Sequence, residues 1–115
     1  MQTVDPSLVL DRRQLRDITL DDEELMREVL TALIEDTSRQ IELLESAIRE
    51  QDPERCKRLA HYCKGACANV GANAAAAVLR RMELEALSSD FPHCAQSLAA
   101  LAEELERLRS AAQTL

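Results

Sequence analysis

Residue types that could carry chemistry are concentrated on one face of a single predicted helix. At about 100° per residue, this helix has an apolar arc that is expected to face the core, made of Cys56, Leu59, Cys63, Ala66, Cys67 and Val70. His61 falls opposite that arc and is expected to point at water. Lys57, Lys64, Gly65 and Ala68 lie within about 60° of it. The predicted outward face is an imidazole beside two ammonium groups and two residues with almost no side chain.

This face suits phosphoryl transfer onto His61. A neutral imidazole is a good nucleophile near pH 7, and one exposed ring nitrogen can attack a phosphorus atom in line. The nearby ammonium of Lys64 can balance the charge on the phosphoryl oxygens. A glycine inside a helix costs about 1 kcal/mol relative to alanine, so Gly65 indicates that something must approach closely. Because no second acid–base residue or substrate cleft is apparent, the helix would lend its nucleophile to a partner's active site.

Five helices are predicted to build and position this face. Their expected bounds are Asp11–Asp17 for a short helix, then Asp21 or Asp22 to about Glu50, Pro53 to about Val70, Ala74–Leu87, and about Pro92 to the end of the chain. Asp52 and Asn73 are predicted N-caps, and Gly71 is a predicted helix terminator. Short connectors make sequence neighbours pack antiparallel. We therefore predict an all-α fold: an antiparallel up-down-up-down four-helix bundle with a short N-terminal capping helix.

Composition supports this architecture and excludes several classes of function. A chain of 115 residues, 46% of them hydrophobic, suits a single domain with one core, and only two glycines and three prolines favour helices. We assign residues 1–10 to a loose lead-in and residues 11–115 to that domain. The net charge of −7 argues against a nucleic-acid binder. No membrane span, signal peptide or glycine-rich phosphate loop is visible, so we expect a cytoplasmic protein without kinase activity of its own.

A family resemblance is carried by the stretch Ala60-His61-Tyr62-Cys63-Lys64-Gly65-Ala66-Cys67-Ala68-Asn69-Val70-Gly71-Ala72. It resembles the signature of histidine-containing phosphotransfer (HPt) domains, which is alanine-histidine-x-x-lysine-glycine followed by small residues that close on glycine. Met82-Glu83 is similar to the family's Leu-Glu pair on the next helix, and Val9-Leu10-Asp11 through Leu15 is similar to its lead-in. Tyr62 and Cys63 depart from the small polar residue and leucine that the family more often has, which leaves the choice of partner open.

The resemblance implies an intermediate in a His–Asp phosphorelay, which takes a phosphoryl group from one aspartyl-phosphate receiver domain and passes it to another. By that analogy His61 is the phosphorylated residue, and Lys64 helps to hold the phosphoryl group. Receiver domains of response regulators would dock over Lys57, Gly65 and Ala68, with a hybrid histidine kinase as a further candidate partner. The family's magnesium belongs to the receiver, so neither a cofactor nor a metal is expected on this chain.

Two other interpretations of the sequence stay open. Cys63, Cys67 and the pair His93-Cys94 would form a metal site only if they converged. Because the first two face the predicted core, inert buried thiols are the more common outcome for such residues, and no basic group lies near to favour redox chemistry. The second interpretation is a non-catalytic helical adaptor or scaffold that binds a signalling partner. It explains neither Gly65 nor an outward His61.

Overall fold

All regular structure in the described part of the chain is helical. The structure is a computed structural model that describes residues 5–115, so residues 1–4 of the predicted lead-in lie outside the described residues. Its helices are α1 (Pro6–Val9), α2 (Arg12–Ile18), α3 (Glu23–Arg49), α4 (Pro53–Val70), α5 (Asn73–Leu87) and α6 (Phe91–Ala112). Each long helix packs on its neighbours in sequence, and α3 packs on α6. The predicted all-α four-helix bundle is confirmed. Between residues 5 and 115, no helix has the length and apolar character needed to cross a membrane.

The long helix that carries His61 begins as its sequence predicts. The Asp52 carboxylate accepts a hydrogen bond from the backbone N–H of Arg55 at 3.1 Å, and Pro53 occupies the first helical position. Proline fits there because the first turn of a helix has no intrahelical acceptor for its backbone N–H groups. Asp11, Asp22 and Asp90 cap α2, α3 and α6 in the same way. Aspartate N-caps therefore set where these four helices start.

Gly71 ends α4 in a turn that only glycine fits. Its φ of 88° is left-handed, and the N–H of Ala72 donates back to the carbonyl of Cys67 at 2.9 Å. A Cβ on Gly71 would lie 2.8 Å from the backbone oxygen of Asp11. Because this turn uses both Gly71 and Ala72, α5 begins directly at Asn73. The prediction that Asn73 is the N-cap of α5 is wrong: the cap is Ala72, which makes no side-chain hydrogen bond.

Part of the predicted loose lead-in is helical. Residues 6–9 form α1, whose N-cap is Asp5, and this helix packs on α5 and α6. Val9 and Leu10 are buried there. Apolar burial therefore orders a segment that is too short for its periodicity to identify it as a helix.

The predicted short helix is present as α2, but one of the two residues predicted to face inward does not. Leu15 is buried as expected, but Ile18 is half exposed and Thr19 is buried in its place. The inward positions are four residues apart, and the Thr19 hydroxyl donates to the carbonyl of Leu15 at 2.7 Å. A threonine whose hydroxyl is satisfied in this way can be buried without a polar penalty.

The short α2 also secures the far ends of two long helices. Gln14 Nε2 donates to the Ala68 carbonyl at 2.6 Å, near the end of α4. The Arg12 guanidinium donates to the carbonyl of Ala111 at 3.3 Å and to the hydroxyl of Thr114 at 2.6 Å, at the end of α6. The last carbonyls of a helix have no hydrogen-bond donors within the helix, and the side chains of Gln14 and Arg12 provide such donors. The predicted capping helix therefore holds the C-terminal end of the helix that carries His61.

The core meets α4 on an arc that is rotated from the predicted one. The buried residues of α4 are Cys56, Ala60, Cys63, Cys67 and Val70. Leu59 and Ala66, which were expected in the core, are only half buried, and Ala60 is fully buried instead. The rotation is toward α5, whose alanines at positions 74–77 permit a close approach. One side of the outward face of α4 is therefore sheltered by α5.

Candidate functional site

His61 projects from the middle of α4 into solvent. Its side chain is 71% exposed, as helical geometry predicts. The Nδ1 atom lies 3.3 Å from Oε2 of Glu83 on α5. The side chain of Glu83 is only 16% exposed, so this carboxylate is fixed by the close packing of α4 against α5. The imidazole is consequently held on one ring nitrogen and open on the other.

The same carboxylate also binds Lys64. Lys64 Nζ lies 2.7 Å from Glu83 Oε1, while His61 contacts the other carboxylate oxygen. Lysine at the third position after histidine lies on the same face of the helix, and the rotation of α4 toward α5 brings its ammonium to Glu83. The sequence predicted a lysine beside the histidine, but it did not predict that an acidic residue would join the two.

The charge state of Glu83 determines which nitrogen of His61 carries a proton. Burial by itself would raise the pKa of Glu83, but the hydrogen bonds and positive charges of Lys64 and His61 outweigh burial and hold that pKa below its usual value. Glu83 is therefore a carboxylate at neutral pH, and a carboxylate only accepts hydrogen bonds. The proton of the neutral imidazole must then sit on Nδ1, which leaves the lone pair on Nε2 facing solvent.

Three further residues predicted for this face surround His61. Gly65 and Ala68 are exposed, and Lys57 is half buried. A Cβ built on Gly65 would have no atom within 4 Å, apart from its own helix backbone and chain neighbours. The bundle itself therefore does not need glycine at this position. Small residues of α4 and α5 extend this opening into a shallow groove lined by Lys64, Gly65, Ala68, Asn73, Ala76, Ala77 and Arg80.

On the opposite flank of His61, Tyr62 is linked to α3. Its hydroxyl donates to Asp36 Oδ2 at 2.9 Å, and its side chain remains about half exposed. This hydrogen bond to a carboxylate raises the pKa of Tyr62 above its usual value. Tyr62 therefore presents a ring of fixed orientation beside the histidine.

Cys56, Cys63 and Cys67 lie on the core side of α4, away from His61, and Cys94 lies on α6. Cys56, Cys63, Cys67 and Cys94 are all free and buried. Burial raises the pKa of Cys63 to about 12 and that of Cys67 to about 11. Throughout residues 5–115, no group of three or more His, Cys, Asp or Glu side chains is arranged to hold a metal ion. His93, which the metal interpretation required, is exposed and binds Asp90 Oδ2 through Nδ1 at 2.6 Å.

Comparison with known protein families identifies the family to which this chain belongs. The model of the Hpt domain matches residues 28–111, which is most of the chain. The chain belongs to the Hpt domain family. This Hpt domain is thereby placed among the histidine phosphotransfer domains of phosphorelays, in agreement with the resemblance seen in the sequence.

The fold of this Hpt domain also matches a solved structure. The crystal structure of histidine-containing phosphotransfer protein B (HptB) from Pseudomonas aeruginosa PAO1 superposes with a TM-score of 0.84, covering 92% of each chain at 21% sequence identity. Identity at that level shows a shared fold alone. No curated protein sequence matches the chain significantly.

Reasoning from the sequence missed the site roles of one acidic residue and two arginines in this Hpt domain. The acidic residue is Glu83, although the similarity of Met82-Glu83 to the family's Leu-Glu pair was a usable signal. Arg58, three residues before His61, lies at about 60° on the same helical wheel and belongs with the outward face. Arg80 lines the groove from α5, and no local pattern could have placed it there.

Proposed function

We propose that this Hpt domain is a phosphorelay intermediate whose phosphorylated residue is His61. It would accept a phosphoryl group from the aspartyl phosphate of one receiver domain and pass it to another. The observation that carries this proposal is an exposed imidazole whose Nδ1 is held 3.3 Å from a carboxylate, so that Nε2 is the nucleophile. The other residues of the face are consistent with a reaction completed by a second protein.

The transfer step follows from the tautomer. The Nε2 lone pair of His61 attacks phosphorus in line, and the bond from phosphorus to the aspartyl carboxylate oxygen breaks. The receiver's aspartate leaves with that electron pair as a carboxylate. The imidazole keeps the Nδ1 proton and becomes positively charged as the Nε2–P bond forms. The Glu83 carboxylate offsets that charge, as an acidic residue does behind a catalytic histidine.

Lys64 would support the step by neutralising the phosphoryl oxygens. In the unphosphorylated protein its ammonium is bound to Glu83 at 2.7 Å. Since an ammonium has three donors, Lys64 can reach toward a phosphoryl group on His61 while it stays close to Glu83. We expect it to be shared between the two anions, so its contribution to transfer is smaller than that of a free lysine.

Receiver docking would use the open space around Gly65. A side chain at position 65 would not disturb the bundle. The space left by glycine therefore serves only a partner that approaches from outside. Lys57 and Ala68 would lie under the same partner, and Tyr62 would meet it at the α3 flank. The magnesium ion of the reaction would be brought by the receiver. The relay would operate in the cytoplasm, with residues 11–115 as its single domain and no kinase activity of its own.

The histidine substitution pair His61→Gln and His93→Gln tests the proposal. Both imidazoles are exposed and both bind a carboxylate through Nδ1, but only His61 has a lysine and a glycine on its face. We expect His61→Gln to abolish acceptance of phosphate from phosphorylated receiver domains, and His93→Gln to leave it unchanged. Both should keep their stability within about 0.5 kcal/mol, as surface substitutions usually do. Acid-labile phosphate on the chain is the readout.

The opposite outcomes have distinct meanings. Label that persists in His61→Gln but is lost in His93→Gln would move the nucleophile to the start of α6. A wild-type protein that binds receivers but never takes phosphate from them would instead favour the adaptor interpretation.

A further inference from the structure

Two arginines beside His61 have no partner within the described part of the chain. Arg58 and Arg80 are exposed, and neither makes an ion pair or a side-chain hydrogen bond among residues 5–115. The cation nearest to the histidine, Lys64, is already neutralised by Glu83. The positive charge that this face offers to a partner therefore comes largely from the two arginines.

These arginines differ from most other arginines in the protein. Salt bridges to acidic side chains occupy Arg39, Arg55, Arg107 and Arg109. Side-chain hydrogen bonds to backbone carbonyls or a serine occupy Arg12, Arg27 and Arg81. In a chain of net charge −7, acidic partners for arginine are abundant. Among residues 5–115, Arg13, Arg16 and Arg49 also lack such contacts, but they lie on α2 and at the end of α3. Arg58 and Arg80 are the unpaired arginines that lie at the face of the nucleophile.

Their positions place them on both sides of the nucleophile. Arg58 is three residues before His61 on α4, so the two side chains are neighbours on the helix surface. Arg80 lines the groove on the α5 side, together with Lys64 and Gly65. Because α4 and α5 pack closely, a body that covers His61 and fills the space at Gly65 would cover both guanidinium groups. Half-buried Lys57 adds a third positive charge to the outward face of α4.

We infer that Arg58 and Arg80 select among receiver domains by pairing with carboxylates on the partner's docking face. This inference rests on the proposed function and specifies the partner: a receiver with acidic side chains on both sides of its aspartyl phosphate. A receiver that lacks these carboxylates would gain no such pairing, and a basic docking face would be repelled by the two guanidinium groups. Charge at the rim of an interface acts mainly on association rate and on salt dependence. The arginines should therefore affect KM more than kcat.

The test compares neutralised arginines with a matched control. Arg58→Gln, Arg80→Gln and the double variant remove charge at the face, and Arg16→Gln removes the same charge from an exposed position on α2. Each protein is assayed with a panel of purified receiver domains of differing surface charge, phosphorylated with acetyl phosphate. We expect the double variant to raise KM for acidic receivers by about tenfold with little change in kcat, and to weaken the salt dependence. Arg16→Gln should behave as wild type.

Labelling of His61 with phosphoramidate separates docking from intrinsic reactivity, because this small donor needs no docking surface. It should proceed equally in wild type and in all four variants. An unchanged KM in the double variant, or an equal rise in Arg16→Gln, would overturn the role of the arginines while leaving the relay function intact. A wild-type protein that takes phosphate from phosphoramidate but from no receiver would overturn the proposed function and this inference together.

Discussion

Replacing Glu83 with glutamine tests the central physical argument of the site. Glutamine keeps the shape of the side chain and removes its charge, so the imidazole loses a charged acceptor at Nδ1. A hydrogen bond to a charged group contributes about 1.5–3 kcal/mol and one between neutral groups about 0.5–1.5 kcal/mol. Because His61 is 71% exposed and its contact with Glu83 is 3.3 Å long, we take the smaller difference of about 1 kcal/mol. At about 1.4 kcal/mol per tenfold in rate, transfer should slow about fivefold.

Glu104→Gln is the matched control for this substitution. The side chain of Glu104 is 13% exposed and pairs with Arg107, so it resembles Glu83 in burial and charge but lies on α6, away from the histidine. The assay is the single-turnover rate of transfer from one phosphorylated receiver, at matched ionic strength. Only Glu83→Gln should slow. The pKa of Glu83 is below its usual value, so this carboxylate stays ionised through neutral pH, and the slowing of Glu83→Gln should persist at about pH 8.

Three outcomes for Glu83→Gln would refute the reasoning. A wild-type rate would show that the carboxylate does not orient or stabilise the imidazole. A faster rate would show that its main effect is to withhold the ammonium of Lys64 from the phosphoryl group. A slowing equal to that of Glu104→Gln would assign the change to stability. The double variant Glu83→Gln with Lys64→Ala tests the second explanation. If the faster rate comes from a released Lys64 ammonium, it should disappear when the lysine is removed.

The remaining predictions concern the lysine, the two glycines and the thiols. Lys64→Ala should slow transfer up to about tenfold without abolishing it, and Lys64→Arg should retain more activity because positive charge remains; a wild-type rate in Lys64→Ala would make this lysine a structural partner of Glu83 only. Gly65→Ala should stabilise the protein by up to about 1 kcal/mol in urea unfolding, while Gly65→Leu should block transfer by bulk; unimpaired transfer would contradict the docking argument. Gly71→Ala should destabilise by about 3 kcal/mol through its left-handed φ and the contact with Asp11; equal stability would refute both. The buried cysteines, with pKa values raised by burial, should resist iodoacetamide at about pH 8 until the protein unfolds, and rapid labelling of the native state would show an open core.

The sequence predicts the elements well where a local physical rule decides them. Asp52-Pro53 marks the start of α4 because capping and the missing proline N–H depend only on adjacent residues. The apolar spacing of α5 identifies its buried face, and Val78, Leu79 and Met82 are all buried. Local rules fail at Asn73 and at residues 6–9, where a turn shared with Gly71 and packing on distant helices decide the structure. The helix at residues 6–9 depends on contacts with segments far apart in the chain, whereas the start of α5 depends on a local turn that takes Ala72 as well as Gly71.

The candidate site divides in the same way. Helical periodicity by itself determines that His61 faces outward with Lys64 and Gly65 beside it, since residues three and four apart share a helix face whatever the helix packs against. Only the tertiary structure brings the Glu83 carboxylate to both His61 and Lys64, sets the nitrogen that carries the proton, and places Arg80 in the groove. Those features depend on the rotation and depth with which α5 packs on α4. That geometry comes from how buried side chains of different sizes on both helices fit together, which no local pattern of the sequence encodes.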